Sequence, residues 1–191
     1  MDHDEVVQLL LDNLAKTYAL KRRHASFWNF HKKSTKELGA LSEIFARLQN
    51  DLGSKILEWD LCEKDPPDIR MVLSDQRVIG VEVTELVNEA AIQAQITNPS
   101  GYQLELSCFG LPEGVNAIRN IVRNKEQKLL ALTGYDQLCL LIHTDEPYFQ
   151  SQDFIKFPDP ILAKPSGVFD SVYLLFSYEP DKQQCPVLNL L

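Results

Sequence analysis

Residues 67–73 read PDIRMVL and residues 78–84 read VIGVEVT, with only the polar turn SDQR between them. Both runs are rich in aliphatic and β-branched residues, which favours strands, and the short polar connection favours an antiparallel hairpin. Side chains alternate across a strand, so Glu82 lies on the face opposite to its two valine neighbours. The stretch therefore predicts a hairpin with one acid at the start of its first strand, Asp68, and one within its second, Glu82.

The two acids have two interpretations. A charge between valines in an apolar strand is costly unless it is compensated, and a divalent cation shared by Glu82 and Asp68 would compensate it. This interpretation predicts that the two carboxylates approach within about 5 Å of each other, a span that one cation bridges. In the alternative, Glu82 lies on the solvated face of a half-exposed hairpin and Asp68 is only a polar residue that begins a strand.

The composition is that of one globular domain. The chain has 191 residues, of which 45% are hydrophobic and 24% charged, and this length allows a full core. No apolar run is long enough for a transmembrane helix, and the acidic N-terminus is unlike a secretory signal. The four cysteines are scattered and form no zinc motif. We therefore expect a cytoplasmic protein that does not contact a membrane.

Charge is unevenly distributed along the chain. The net charge of −8 argues against a protein that coats nucleic acid with its whole surface. A basic segment near the N-terminus nevertheless contains no acid. Its charged residues are Lys16, Lys21, Arg22, Arg23, Lys32, Lys33 and Lys36, interleaved with Phe27, Trp28 and Phe30. Such a segment is typical of contacts with a phosphate backbone, and the alternative is a solvated helix face whose aromatic residues pack on the core.

Hydrophobic periodicity and breaker residues predict a mixed order of helices and strands. Helices are expected over residues 4–20, 34–52, 86–96 and 112–132, and strands over residues 56–61, 68–73, 78–84, 138–143 and 172–177. Residues 102–108 fit either a short strand or an ordered loop, and prolines after residue 144 indicate a long connection. This order predicts an α/β protein in which helices pack on a mixed central sheet.

The arrangement, with PD at the start of one strand and EVTE in the next, resembles the PD-(D/E)xK nuclease superfamily. The resemblance covers residues 37–143 and implies a restriction-endonuclease-like core of a helix, a three-strand meander, a helix and a further strand. Residues 1–36 would be an extra N-terminal helical, basic extension, and residues 144–191 a C-terminal strand with loops. The activity implied is metal-dependent hydrolysis of phosphodiester bonds in DNA or RNA, with a homodimer left open.

The resemblance also implies site residues. Carried over by position, Asp68 and Glu82 would hold Mg²⁺ or Mn²⁺ together with the carbonyl group of Val83. Many members place an additional acidic residue on the preceding helix. Glu43 is the first choice for that role in this chain, and Glu37 is a weaker one.

One position departs from the superfamily pattern. The lysine expected two residues after the glutamate is replaced by Thr84. Either the lysine comes from elsewhere, or it is lost and the chain is a catalytically inactive binding or interaction module. Some members take the lysine from the following helix, and residues 121–128 of this chain, IVRNKEQK, resemble that pattern.

Helix phase distinguishes the two lysines of this segment. Lys125 follows Ile121 by four residues and precedes Leu129 by four, so it lies within the apolar stripe of the helix. Lys128 lies at the edge of that stripe. The phase therefore selects Lys125 as the displaced catalytic lysine, with Lys128 as the second candidate. In the alternative, Lys125 only extends past its neighbours to solvent.

Overall fold

The structure is a computed structural model, and it describes residues 33–62, 66–97, 109–146, 148–162 and 167–191. The helices are α1 (Lys33–Leu52), α2 (Glu89–Thr97), α3 (Leu111–Leu129) and α4 (Ser151–Ile155). The strands are β1 (Ile56–Leu61), β2 (Ile69–Leu73), β3 (Val78–Glu85), β4 (Gln137–Thr144), β5 (Ser171–Phe176) and β6 (Val187–Asn189). The helix predicted over residues 4–20, most of the basic segment and residues 102–108 lie outside the described residues.

The strands form one mixed sheet in the order β1-β2-β3-β4-β5-β6. β1, β2 and β3 make an antiparallel meander, β3, β4 and β5 are parallel, and β6 returns antiparallel to β5. Parallel neighbours need a crossover connection, and the one between β3 and β4 contains α2 and α3. The predicted fold class, an α/β protein with a mixed sheet flanked by helices, is confirmed. Its assignment as a restriction-endonuclease-like core stays a prediction.

Helices cover both faces of the sheet. On one face, a buried stripe of α1 packs in the same core cluster as Val81 and Val83 of β3. The stripe consists of Ala40, Leu41, Ile44 and Leu48. On the other face, the apolar side of α3 packs in a second cluster with Leu140 of β4. Because strand side chains alternate, Glu82 of β3 is directed to the α3 face.

Two elements of the C-terminal part differ from the sequence prediction. The helix α4 and the strand β6 interrupt what was predicted as a long connection and a terminal loop. They have only five and three residues, respectively, which is too short for a hydrophobic period to be recognised. The helix predicted to run to residue 132 ends at Leu129, and the one predicted from residue 86 begins at Glu89.

Gly114 of α3 provides a test of the packing on this face. A Cβ atom added to it would lie 2.5 Å from the ring of Phe149. In a helix interior, alanine is favoured over glycine by about 1 kcal/mol, whereas forcing a methyl group against a packed ring costs about 1–3 kcal/mol. We therefore expect Gly114→Ala to lower the free energy of unfolding measured by urea denaturation. An increase would mean that Phe149 moves aside at little cost.

Candidate functional site at the start of strand β2

Both predicted acids are buried at the end of the β2–β3 pair. The last residue pair of the two strands is Ile69 with Val81, so β3 continues beyond the start of β2. Asp68 precedes β2, and its Oδ2 accepts a 2.8 Å hydrogen bond from the backbone N–H of Val83. Asp68 is 4% exposed and Glu82 is 2% exposed. The interpretation in which Glu82 lies on a solvated face is therefore wrong.

A lysine from α3 neutralises Glu82. The Nζ atom of Lys125 contacts Oε1 of Glu82, and the Lys125 side chain is only 20% exposed. Lys128, one turn further on, is exposed to solvent. The alternative in which Lys125 extends to solvent is thus excluded, since its ammonium group contacts the carboxylate of Glu82. A catalytic role for either lysine stays a prediction.

A second lysine neutralises Asp68 from the α1 side. The Nζ atom of Lys33 lies 2.8 Å from Oδ1 of Asp68 and 3.1 Å from Oε1 of Glu37. Glu37 is itself buried, and its carboxyl group lies beside the Asp68 carboxyl group. Burial, followed by the negative charge of Asp68, raises the pKa of Glu37 above its ordinary value. Lys33 and Glu37 therefore belong to the site together with Asp68.

The structure places Glu37, and not the preferred Glu43, beside Asp68, and the role of either acid stays a prediction. Glu43 is exposed and lies next to the thiol group of Cys185. The helical periodicity of α1 distinguishes the two acids. Glu37 precedes Leu41 by four residues and is therefore in phase with the buried stripe of α1, whereas Glu43 is not. Lys33 precedes Glu37 by four residues, which is the spacing of an ion pair on one helix face.

Lysines of two different helices neutralise the two predicted acids. Asp68 contacts Lys33 on the α1 side, and Glu82 contacts Lys125 on the α3 side. Among the residues that the structure describes, no group of three or more His, Cys, Asp or Glu side chains forms a ready cation site. The predicted approach of Asp68 and Glu82 to within reach of one cation therefore stays a prediction.

The donor chemistry nevertheless fits the metal that the resemblance implies. Glu37 of α1, Asp68 just before β2 and Glu82 of β3 offer only carboxylate oxygens, the donors that Mg²⁺ and Mn²⁺ prefer. Lysine ammonium groups now supply the positive charge at these carboxylates. Val83 contributes its N–H to Asp68, and the role of its carbonyl as a ligand stays a prediction.

Comparisons with protein-family models, with curated proteins and with solved structures found no match to this chain. None of the helices in the described ranges is long and apolar enough to cross a membrane.

Proposed function

We propose that this protein is a metal-dependent nuclease, in which a PD-(D/E)xK-like site takes its lysine from α3. The observation that carries the proposal is the contact between Lys125 and the buried Glu82. Placing a lysine and a glutamate in a mostly apolar interior is unfavourable compared with an apolar pair, so such pairs often mark functional sites. The pair also lies one residue away from the amide that binds the motif aspartate.

Each side chain has a role in phosphodiester hydrolysis. Glu37, Asp68 and Glu82, with the carbonyl group of Val83, would hold Mg²⁺ or Mn²⁺. Such an ion, when bound, polarises a phosphate group and lowers the pKa of a water molecule. Lys125 orients the attacking water or stabilises the charge that develops on the phosphoryl oxygens. The hydrogen bond from the Val83 amide fixes the Asp68 carboxylate for this task.

The substrate in this proposal is DNA or RNA. The basic segment from Lys16 to Lys36 supports it, because phosphate groups are bound mainly by lysine and arginine. Lys33 and Lys36 bring the end of that segment into α1, at the side of the sheet where Asp68 lies. Location in the cytoplasm and a homodimer belong to the same proposal and need separate tests.

A cleavage assay tests the function directly. We expect the purified protein to cleave labelled DNA or RNA with Mg²⁺ or Mn²⁺, and EDTA to stop the reaction. Asp68→Asn should lower the rate at least about 100-fold, because it weakens the binding of the ion on which the reaction depends. Asp60→Asn, which changes an exposed aspartate of β1, is the matched control and should be neutral. Cleavage that persists in EDTA and in Asp68→Asn would overturn the proposal.

A catalytically inactive nuclease-fold module is the second candidate. Thr84 stands at the lysine position of the motif, and two lysines already neutralise the site acids. In that case the wild-type protein should bind nucleic acid equally well in EDTA and in Mn²⁺, and should cleave it in neither. A fluorescence-anisotropy titration beside the cleavage assay distinguishes the two candidates.

A further inference from the structure

Lys33 neutralises two buried carboxyl groups at the N-terminal end of α1. Its Nζ atom lies 2.8 Å from Asp68 and 3.1 Å from Glu37, two residues that are 4% and 7% exposed. The Lys33 side chain itself is 67% exposed. A buried pair of carboxyl groups is thus closed by an ammonium group on a flexible stem that reaches in from solvent.

We propose that Lys33 is an intramolecular placeholder cation, which neutralises Asp68 and Glu37 until a divalent metal ion displaces it. This inference rests on the proposed function, because it takes these carboxylates to be metal ligands. An ammonium group and a divalent ion a few ångströms apart repel each other strongly in a partly buried site. The two cations therefore exclude each other, and the contacts of Lys33 are lost when the ion binds.

Lys125 differs from Lys33 in the features that decide this exchange. Its side chain is 20% exposed against 67% for Lys33, and its partner is Glu82 rather than Asp68 or Glu37. Because most of its side chain is buried, Lys125 cannot withdraw into solvent as Lys33 can, and it stays beside Glu82 when the ion binds. Lys33 withdraws into solvent, where its ammonium group is readily hydrated.

The exchange lowers the affinity of the wild-type protein for metal. When a ligand can bind only after an internal contact has opened, its binding free energy is reduced by the free energy of that contact. Replacing Lys33 by an uncharged residue removes the competitor and should strengthen metal binding. Removing any positive charge from the protein slightly favours the binding of a cation. The control variant must therefore also lose one positive charge. Lys36 lies on the same helix, and in the described part of the chain it makes no ion pair with Asp68 or Glu37.

Isothermal titration calorimetry with Mn²⁺ tests the proposal without an activity measurement. We expect Lys33→Met to bind Mn²⁺ at least about 10-fold more tightly than the wild type, given that it removes a direct competitor. Lys36→Met should change the affinity less than about 2-fold, because exposed charges are screened. An affinity of Lys33→Met equal to that of Lys36→Met, or weaker, would overturn the placeholder role.

Loss of the Lys33 charge also destabilises the metal-free protein, which provides a second measurement. Lys33→Met should melt at a lower temperature in EDTA than the wild type, and Mn²⁺ should raise its melting temperature by more than that of the wild type. Lys33→Gln keeps a hydrogen-bond donor without the charge, and it serves where the methionine variant is too unstable in EDTA. If Mn²⁺ does not raise the melting temperature of either variant, the placeholder role of Lys33 is also overturned.

Failure of the inference and failure of the proposed function give different results. If the wild type binds Mn²⁺ but the Lys33 variants bind it no more tightly than Lys36→Met, only the placeholder role is wrong. If neither the wild type nor any variant binds Mn²⁺, the metal-dependent function is wrong as well. If only the Lys33 variants bind Mn²⁺, the placeholder role is supported in its strongest form.

Discussion

We expect Lys125→Ala to lower the rate of phosphodiester cleavage at least about 100-fold, the effect typical of removing one group that stabilises transition-state charge. Lys125 is the lysine that contacts Glu82, and Thr84, two residues after Glu82, has no charge that could take its place. The affinity for Mn²⁺ should change little, because the carboxylates hold the ion. The measurement is a single-turnover cleavage assay, run beside a calorimetric Mn²⁺ titration of the same preparation.

Two further variants serve as controls, one in α3, which carries Lys125, and one in β3, which carries Glu82. Lys128→Ala removes an exposed lysine from α3 and should leave cleavage close to wild type. Thr84→Lys in the Lys125→Ala background restores the motif lysine on the face of Glu82 and should recover part of the rate. A normal rate for Lys125→Ala together with an inactive Lys128→Ala would contradict the helix-phase argument. Normal rates for both would exclude α3 as the source of the lysine.

The largest expected effect on stability concerns the same ion pair. Lys125→Met removes the ammonium group that contacts Glu82 and leaves a charged side chain that is 2% exposed. Removing one partner of a buried pair typically costs about 3–5 kcal/mol, more than most single substitutions. We expect this loss in the free energy of unfolding from urea denaturation, so cleavage by Lys125 variants must be measured well below their melting temperatures.

A double-mutant cycle separates the charge from the packing. Glu82→Gln has nearly the shape of glutamate without its charge, so in the Lys125→Met background it should recover most of the lost stability. Strictly additive effects of the two substitutions would show that the contact contributes nothing to stability. Lys125→Arg keeps the charge and gives a further comparison, since a guanidinium group has a different shape and donor geometry.

Local periodicity predicted the elements that carry the site. The alternation of residues 78–84 placed Glu82 on the face opposite to Val81, and the phase of α3 selected Lys125 over Lys128. Both inferences need only the geometry of one element, because side chains repeat every second residue in a strand and about every 3.6 residues in a helix. The same reasoning applied to α1 would have selected Glu37 over Glu43.

The partners of each charge depended on the tertiary structure. The sequence by itself determined that this is an α/β chain whose hairpin carries Asp68 and Glu82 and whose later helix carries a lysine in its apolar stripe. Only the packing of α1 and α3 on opposite faces of the sheet decided that Lys33 neutralises Asp68 while Lys125 neutralises Glu82. The physical reason is that a charge pair forms between atoms close in space, and no local repeat encodes which helix covers which face.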